Sequence, residues 1–310
     1  MMKHRQYLVP IALFIVGIVA SLLIGASNRF DYFIIKSFRI PRTLVAMAVG
    51  GGLSVSGALV QGLLSNPLAD PFTMGTASAA ALGAIVALVV FGVYAPLASS
   101  LAAFGFSLLH LWILATFFKK SLRDNPKEFI LIGVISGFIF SSLATLVLAL
   151  AKPEAWSYSM GWLLGSVKQS LISEAVAVLF ATLVFTVLSW FLWKALDMIS
   201  VHADLAFTSG VDISKLRLQI FIISALLTSI CVSVAGIVGF VGLLVPHAVR
   251  ALGVRSYRVL IPMSYLTGAG LLSLSDALAR VAAKPSELPV GIVTALAGGP
   301  LFLYLSRKSK

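Results

Sequence analysis

Arg39 and Arg42 stand three residues apart at the mouth of an apolar segment of more than 20 residues, and Arg280 closes a polar run, 273–280, that also carries Asp276. A guanidinium fork at a membrane rim reads a carboxylate bidentately and steers an acidic soluble partner through its field. The plainer role of an interfacial arginine is to anchor a helix end at lipid headgroups. On the residues alone both stay open. A second feature is the break around Gly236, Gly239, Gly242, Pro246 and His247. Glycines there let backbones pack closely, and the start of the short helix presents unpaired N–H groups to a pathway. His247 is expected to be structural, hydrogen-bonded near the helix start, rather than a ligand for a transported molecule.

Catalytic chemistry is thin. The chain has no G-x-x-x-x-G-K-[ST] loop to cradle a nucleotide and no G-x-S-x-G elbow. Its four histidines, His4, His110, His202 and His247, show no His-x-x-His or Glu-x-x-His spacing, so no metal ligand and no catalytic residue is assigned. The single cysteine, Cys231, lies in an apolar run and is read as packing. A carrier coupled to protons or sodium needs carboxylates inside the membrane. Asp276 and Glu174 are the candidates, and both lie near predicted helix ends, where solvated placement is expected. Energy for any uphill movement would then arrive from another subunit.

The elements that must position these residues are membrane helices. Of 310 residues 59% are hydrophobic and 11% charged, far below the ~25% charged of a soluble domain. The formal charge of +12 is scattered between apolar runs, which fits lipid headgroups and topology rather than nucleic acid. Runs fall at 7–26, 41–64, 75–93, 97–118, 128–150, 171–193, 217–238, 243–252, 259–281 and 288–306, with a short amphipathic piece at 154–165. A span needs ~20 apolar residues, so the eighth run is a broken half-helix buried among neighbours. With the N-terminus inside, fifteen Lys and Arg fall on cytoplasmic segments and eight outside, which places both termini in the cytoplasm. The expectation is an all-α integral membrane protein of ten transmembrane helices, one domain over 1–310. Val55-Ser56-Gly57 precedes Pro67 by the interval that separates Val234-Ala235-Gly236 from Pro246, which would mark an inverted repeat. The Gly/Ser-rich second helix (Gly50, Gly51, Gly52, Ser54, Ser56, Gly57) is read as a tight helix–helix face.

Four segments occur in order: "RIPRTLVAMAVGGGLSVSGALVQGLLSNPLADP" from Arg39, "GFVGLLVPHAVR" from Gly239, "SLSDALAR" from Ser273 and "SELPVGIVTALAGGPLFLYL" from Ser286. With them the chain resembles the permease subunits of type II ABC importers for iron–siderophores, haem and cobalamin, the FecCD family. The resemblance implies a non-catalytic, multi-pass subunit of the bacterial inner membrane. It also implies a second permease subunit, here favoured as an identical copy, two cytoplasmic ATPases that hold ATP and Mg, and an extracytoplasmic binding protein. No cofactor is expected on the chain itself. Arg39, Arg42 and Arg280 match the arginines that receive glutamates of the binding protein. Asn66 and Leu68 match a cytoplasmic gate, where an uncharged, Pro-bounded tip can approach its symmetry mate without repulsion. Pro126 and Lys127 replace the small hydroxyl pair of the family's cobalamin importer, so that half of the gate does not carry over.

The polar connector from Leu196 to Lys215, with Val201, His202, Asp204, Ala206, Ser209 and Gly210, matches the loop that docks on the ATPase, with His202-Ala203 in place of the usual Gly-Glu. It is also the longest polar cytoplasmic connector, so it leads as a coupling element on its own chemistry. The reading is an ATP-driven importer whose cargo is first an iron–siderophore complex, then haem or cobalamin. The alternative is a secondary transporter driven by an ion gradient, and the shortage of intramembrane carboxylates argues against it.

Overall fold

The computed structural model describes residues 2–25, 31–92, 96–118, 120–121, 125–167, 171–201, 213–284 and 286–308. Their architecture is helical, and the β pairing among them is one isolated bridge, Ala283 to Ser286. In chain order the helices are α1 (Met2–Leu23), α2 (Ile40–Leu63), α3 (Thr76–Phe91), α4 (Pro96–Phe117), α5 (Pro126–Ala149) and α6 (Pro153–Leu163). They continue with α7 (Ile172–Phe191), α8 (Trp193–Val201), α9 (Ile213–Ala235), α10 (Val241–Ala251), α11 (Tyr257–Ala279) and α12 (Val290–Lys308). A short turn, Tyr32–Ile34, and a π-helical stretch, Ile35–Arg39, lead into α2. Each apolar run of the sequence is a helix, and the piece at 154–165 is α6. Among the described residues six helices are long and apolar enough to cross a bilayer: α1, α2 with its lead-in, α4, α5, α7 and α9. With its 11 residues α10 rises only about 16 Å.

Helix α2 is the axis of the bundle. Within its most apolar stretch 89% of residues are buried, against 11% in α5, so α2 is surrounded by protein while α5 lies at the rim. It packs on α11, α9, α7 and α10, while α3, α4 and α5 form a second group joined through α9. The close approaches are glycine to backbone. A Cβ on Gly57 would overlap the carbonyl oxygen of Gly242 in α10, and one on Gly50 that of Gly268 in α11. The Gly/Ser face is thus a helix–helix contact, as small residues allow. Buried hydroxyls there are satisfied: Ser54 donates within α2 to the Gly50 carbonyl at 2.7 Å, and Ser56 donates across to the Ser224 carbonyl of α9 at 2.8 Å. Cys231 is buried beside Gly52. Outward faces carry large apolar side chains, among them Ile15, Ile139, Phe180 and Leu303, which suits lipid rather than water.

The proposed repeat landmarks occupy unlike places. Gly57 lies inside α2, whereas Gly236, at φ +67°, follows the end of α9; Pro67 is in a turn, whereas Pro246 is inside α10. The two landmark pairs therefore share a spacing but not a local conformation. Gly57→Val should drive the Gly242 backbone away and lower the unfolding temperature of the detergent-purified protein, since overpacking costs about 1–3 kcal/mol and a backbone neighbour yields least. Gly105→Ala, which meets open space in α4, should leave it unchanged or raise it slightly.

Candidate functional site

The three arginines come together where α1 ends, α2 begins and α11 ends. At their centre is Asp276, 0% exposed in the last turn of α11. Arg42, in the first turn of α2, donates to it from Nη2 at 2.9 Å and from Nε at 3.1 Å to each oxygen. Arg280, one turn after Asp276, places Nη2 3.2 Å from the other carboxylate oxygen. The same Nη2 donates to the Ser21 carbonyl at 3.0 Å and to its hydroxyl at 2.8 Å. Arg39 closes α1 by donating from Nη1 to the carbonyls of Leu22 and Leu23, at 2.8 and 2.9 Å. Those carbonyls are among the ones a helix end leaves unpaired, and a cation there also opposes the helix dipole.

Exposure separates the three. Arg39 and Arg280 are buried, whereas the Arg42 side chain is 16% exposed and reaches Glu287, itself 41% exposed, at 2.7 Å. Within the cluster, three guanidinium groups face two carboxylates, which leaves one net positive charge among these five side chains. The solvated placement expected for Asp276 is therefore wrong. Its spacing to Arg280 is the i,i+4 pair of a helix, visible in "SDALAR", but its stronger partner Arg42 lies 234 residues away. Glu174 does sit at a helix start, where it accepts the Leu171 N–H at 3.1 Å. Ser21 and Glu287 carried no signal in the sequence.

At the other end of α2 the chain turns sharply. Ser65 adopts φ +47°, and the Asn66 side-chain oxygen accepts the Leu68 N–H at 2.9 Å. Asn66 and Leu68 are both exposed, Leu68 at 58%. Asp70 then caps the turn Pro71–Met74 by accepting the Phe72 N–H at 2.8 Å; burial pushes its carboxyl up to about 6, against the pull of that N–H. Pro67 lines a cavity of about 720 Å³ with His247, Arg250, Thr267, Leu301 and Tyr304.

The half-helix follows an unwound stretch, 236–240, in which Gly236 and Phe240 take positive φ. It rests on the end of α6, where the Ile237 N–H meets the Trp162 carbonyl at 3.4 Å. A Cβ at Gly236 would strike that same carbonyl, so the site needs glycine for space as well as for φ. Gly242 lies against Pro71 and the Leu53 carbonyl, whereas Gly239 has open space around it. Pro246 is buried inside α10, and the His247 ring sits 5.4 Å from that of Phe302. His247 is thus in the middle of α10 rather than at its start. Of the coupling residues, Val201 is the last residue of α8; His202, Asp204, Ala206, Ser209 and Gly210 lie outside the described residues. Pro126 and Lys127 open α5. Among the described residues no group of three His, Cys, Asp or Glu side chains is placed to hold a metal ion.

The model of the FecCD transport family matches residues 5–308, so the chain belongs to that family. It is 37% identical over 292 residues to YvrB of Bacillus subtilis (strain 168), an uncharacterised ABC transporter permease, covering 91% of this chain and 81% of that one. It is 34% identical over 277 residues to FecD, the Fe(3+) dicitrate transport system permease of Escherichia coli (strain K12), covering 88% and 85%. Among solved structures, an inward-facing conformation of a transporter assigned to the metal-chelate ABC type superposes with a TM-score of 0.87 at 29% identity. That match covers 99% of this chain and 100% of the other.

Removing the central carboxylate separates support from decoration in the arginine cluster. Asp276→Ala leaves two guanidinium groups without their shared anion and should cost about 3–5 kcal/mol, somewhat less for the partly hydrated Arg42. It should show as a lower unfolding temperature in detergent. Glu287→Ala, at an exposed pair, should cost less than about 1 kcal/mol.

Proposed function

We propose that this member of the FecCD transport family is the transmembrane subunit of an ATP-driven importer for a metal chelate. An iron–siderophore complex is the first candidate cargo, with haem or cobalamin next. The observation that carries the reading is the match, over nearly the whole of both chains, to a transporter of metal-chelate type. An Fe(3+) dicitrate permease among the relatives points to the same chemistry. The chain is a multi-pass membrane protein, and we place it in the bacterial cytoplasmic membrane as one domain. Ten spans with both termini inside fit the fifteen-to-eight division of Lys and Arg.

In this reading the chain is non-catalytic. A second copy completes the pathway, two cytoplasmic ATPases supply ATP hydrolysis, and an extracytoplasmic binding protein delivers the cargo. Arg42 is the arginine a partner can reach: a glutamate arriving on its exposed edge would take the place of Glu287. Arg39 and Arg280 are buried and would contribute mainly by adding positive potential from behind. The Asn66–Leu68 turn would narrow the cytoplasmic exit, and the segment after α8 would receive the motion of the ATPase. A gradient-driven carrier lacks a comparable foundation, because Asp276, the carboxylate buried in α11, is held by two arginines.

Two measurements test these surfaces. Arg42→Glu should weaken binding-protein affinity by about 10-fold to 100-fold at low salt and by less at high salt, as for loss of one charge-assisted contact. Glu287→Gln should leave it unchanged or tighten it. Scrambling 201–211 should leave a membrane-inserted chain that no longer stimulates its ATPase. Affinity that ignores Arg42→Glu would return the cluster to lipid anchoring, and undiminished stimulation after scrambling would remove the coupling role.

A further inference from the structure

At the end of α2 remote from the arginine cluster, polar side chains of α2, α8, α10 and α11 close on one another. Asp197, in α8, accepts from the Ser256 hydroxyl at 2.6 Å and from the Tyr257 N–H at 2.7 Å, and so caps α11. The Tyr257 hydroxyl accepts from Arg250 Nη2 at 3.0 Å, and Arg250 Nη1 donates to Gln61 Oε1. Two cations beside this set are left over. Arg258, in the first turn of α11, and Lys194, in the first turn of α8, are exposed, and no carboxylate among the described residues pairs with either. Both lie over one indole: Arg258 Cζ is 5.7 Å and Lys194 Nζ 5.6 Å from the centre of the Trp193 ring. A ring face attracts a cation but does not neutralise it.

From Arg258 a groove of about 400 Å³ runs between α1, α7 and α11. Helix α1 packs closely along α11 and α7 touches it more lightly, which leaves the gap. Pro262 shapes one wall. It has no N–H, so the Arg258 carbonyl four residues earlier loses its helical partner, and the Trp190 indole of α7 donates to it instead at 2.9 Å. That bond holds the indole beside the cation. Tyr7, Val187, Ile261 and Met263 complete the walls, with Val187 51% and Tyr7 44% exposed. The Thr186 hydroxyl, also in the wall, is engaged with the Thr182 carbonyl at 2.7 Å, whereas the Tyr7 hydroxyl bonds to no described residue.

The groove therefore offers a guanidinium and a phenol at one end and hydrocarbon along the rest. A soluble anion fits only the first part and an alkyl chain only the second; a phospholipid has both. Helix α7 ends and α11 begins at this level, so the cations stand at headgroup depth, with Trp and Tyr rings as in an interfacial belt. A zwitterionic headgroup would bring its own cation against Arg258 and Lys194, so the charge selects a lipid with net negative charge.

We propose that this groove is a binding site for an anionic phospholipid. The phosphate accepts from Arg258 and Tyr7, Lys194 supplies a second positive charge across Trp193, and an acyl chain lies along Trp190, Val187 and Pro262. In the orientation proposed above, the lipid belongs to the cytoplasmic leaflet. The site needs only the chain's place in a membrane and not the importer reading, so each can fail without the other.

The test is native mass spectrometry of the full detergent-purified chain, titrated with dioleoyl phosphatidylglycerol against dioleoyl phosphatidylcholine. Phosphatidylglycerol should bind about 10-fold tighter at low salt, with a smaller advantage at high salt. Arg258→Gln with Lys194→Gln should bring the preference below about 3-fold. Both side chains are exposed, so the fold is spared. Lys36→Gln with Lys152→Gln, which removes as much charge outside the groove, should leave the preference intact. Val187→Trp fills the acyl stretch without touching the charges, and should also abolish it. Equal binding of the two lipids, or a preference that survives Arg258→Gln with Lys194→Gln, overturns the site. Inorganic phosphate that displaces the lipid, or binding that ignores Val187→Trp, assigns the cations to a free anion and overturns the lipid. A dimer that sheds the phosphatidylglycerol its monomer keeps would show a second copy covering the groove, which also overturns it.

Discussion

Helix α2 passes α10 and α11 so closely that Gly57 and Gly50 have no room for a Cβ, and this fixes the height of everything it carries. A shift of one residue along the axis would drive a side chain into the Gly242 or Gly268 backbone. Close-packed interiors have discrete arrangements rather than a continuum. Arg42 in the first turn and Gln61 in the last are therefore held at set positions, and the groups that meet them on α11 and α10 are set in turn.

Two polar clusters follow from that constraint. Asp276 and Tyr257 lie 19 positions apart on α11, about 28 Å along the helix, with mostly apolar or locally bonded groups between. Inside an apolar bundle a polar network works only when complete, since an orphaned charge costs more than its bonds return. Asp276 meets this with two arginines, and Asp197 by using both oxygens on the start of α11. Charged and bonded groups thus gather at the two ends of the bundle, and the middle of α2 is glycine, serine and aliphatic side chains.

Much of this was legible in the chain. Each apolar run is a helix with ends within five residues of the run's, because length and burial in a bilayer leave few alternatives. Gly236 and Gly242 announced the break before α10, and Gly50 to Gly57 announced a contact face. Asp276 was misread because nearness to a helix end argues for solvent, while Arg42 folds over it from 234 residues away. The Gly57–Pro67 and Gly236–Pro246 intervals agree in number but not in backbone conformation, since one glycine is helical and the other at positive φ. Gln61, Asp197 and Tyr257 carry no signal of their bonds in the sequence, because a polar residue at the end of an apolar run looks like any solvated terminus until its partner is known.

The most direct measurement of the central claim is uptake of labelled ferric chelate into proteoliposomes holding this chain, its ATPase and its binding protein. With a proton or sodium gradient but no ATP inside the coupling compartment, no accumulation is expected. With ATP, the chelate should accumulate, and an ATPase unable to hydrolyse should abolish it. Accumulation driven by the ion gradient alone, with the chain reconstituted by itself, would contradict the account.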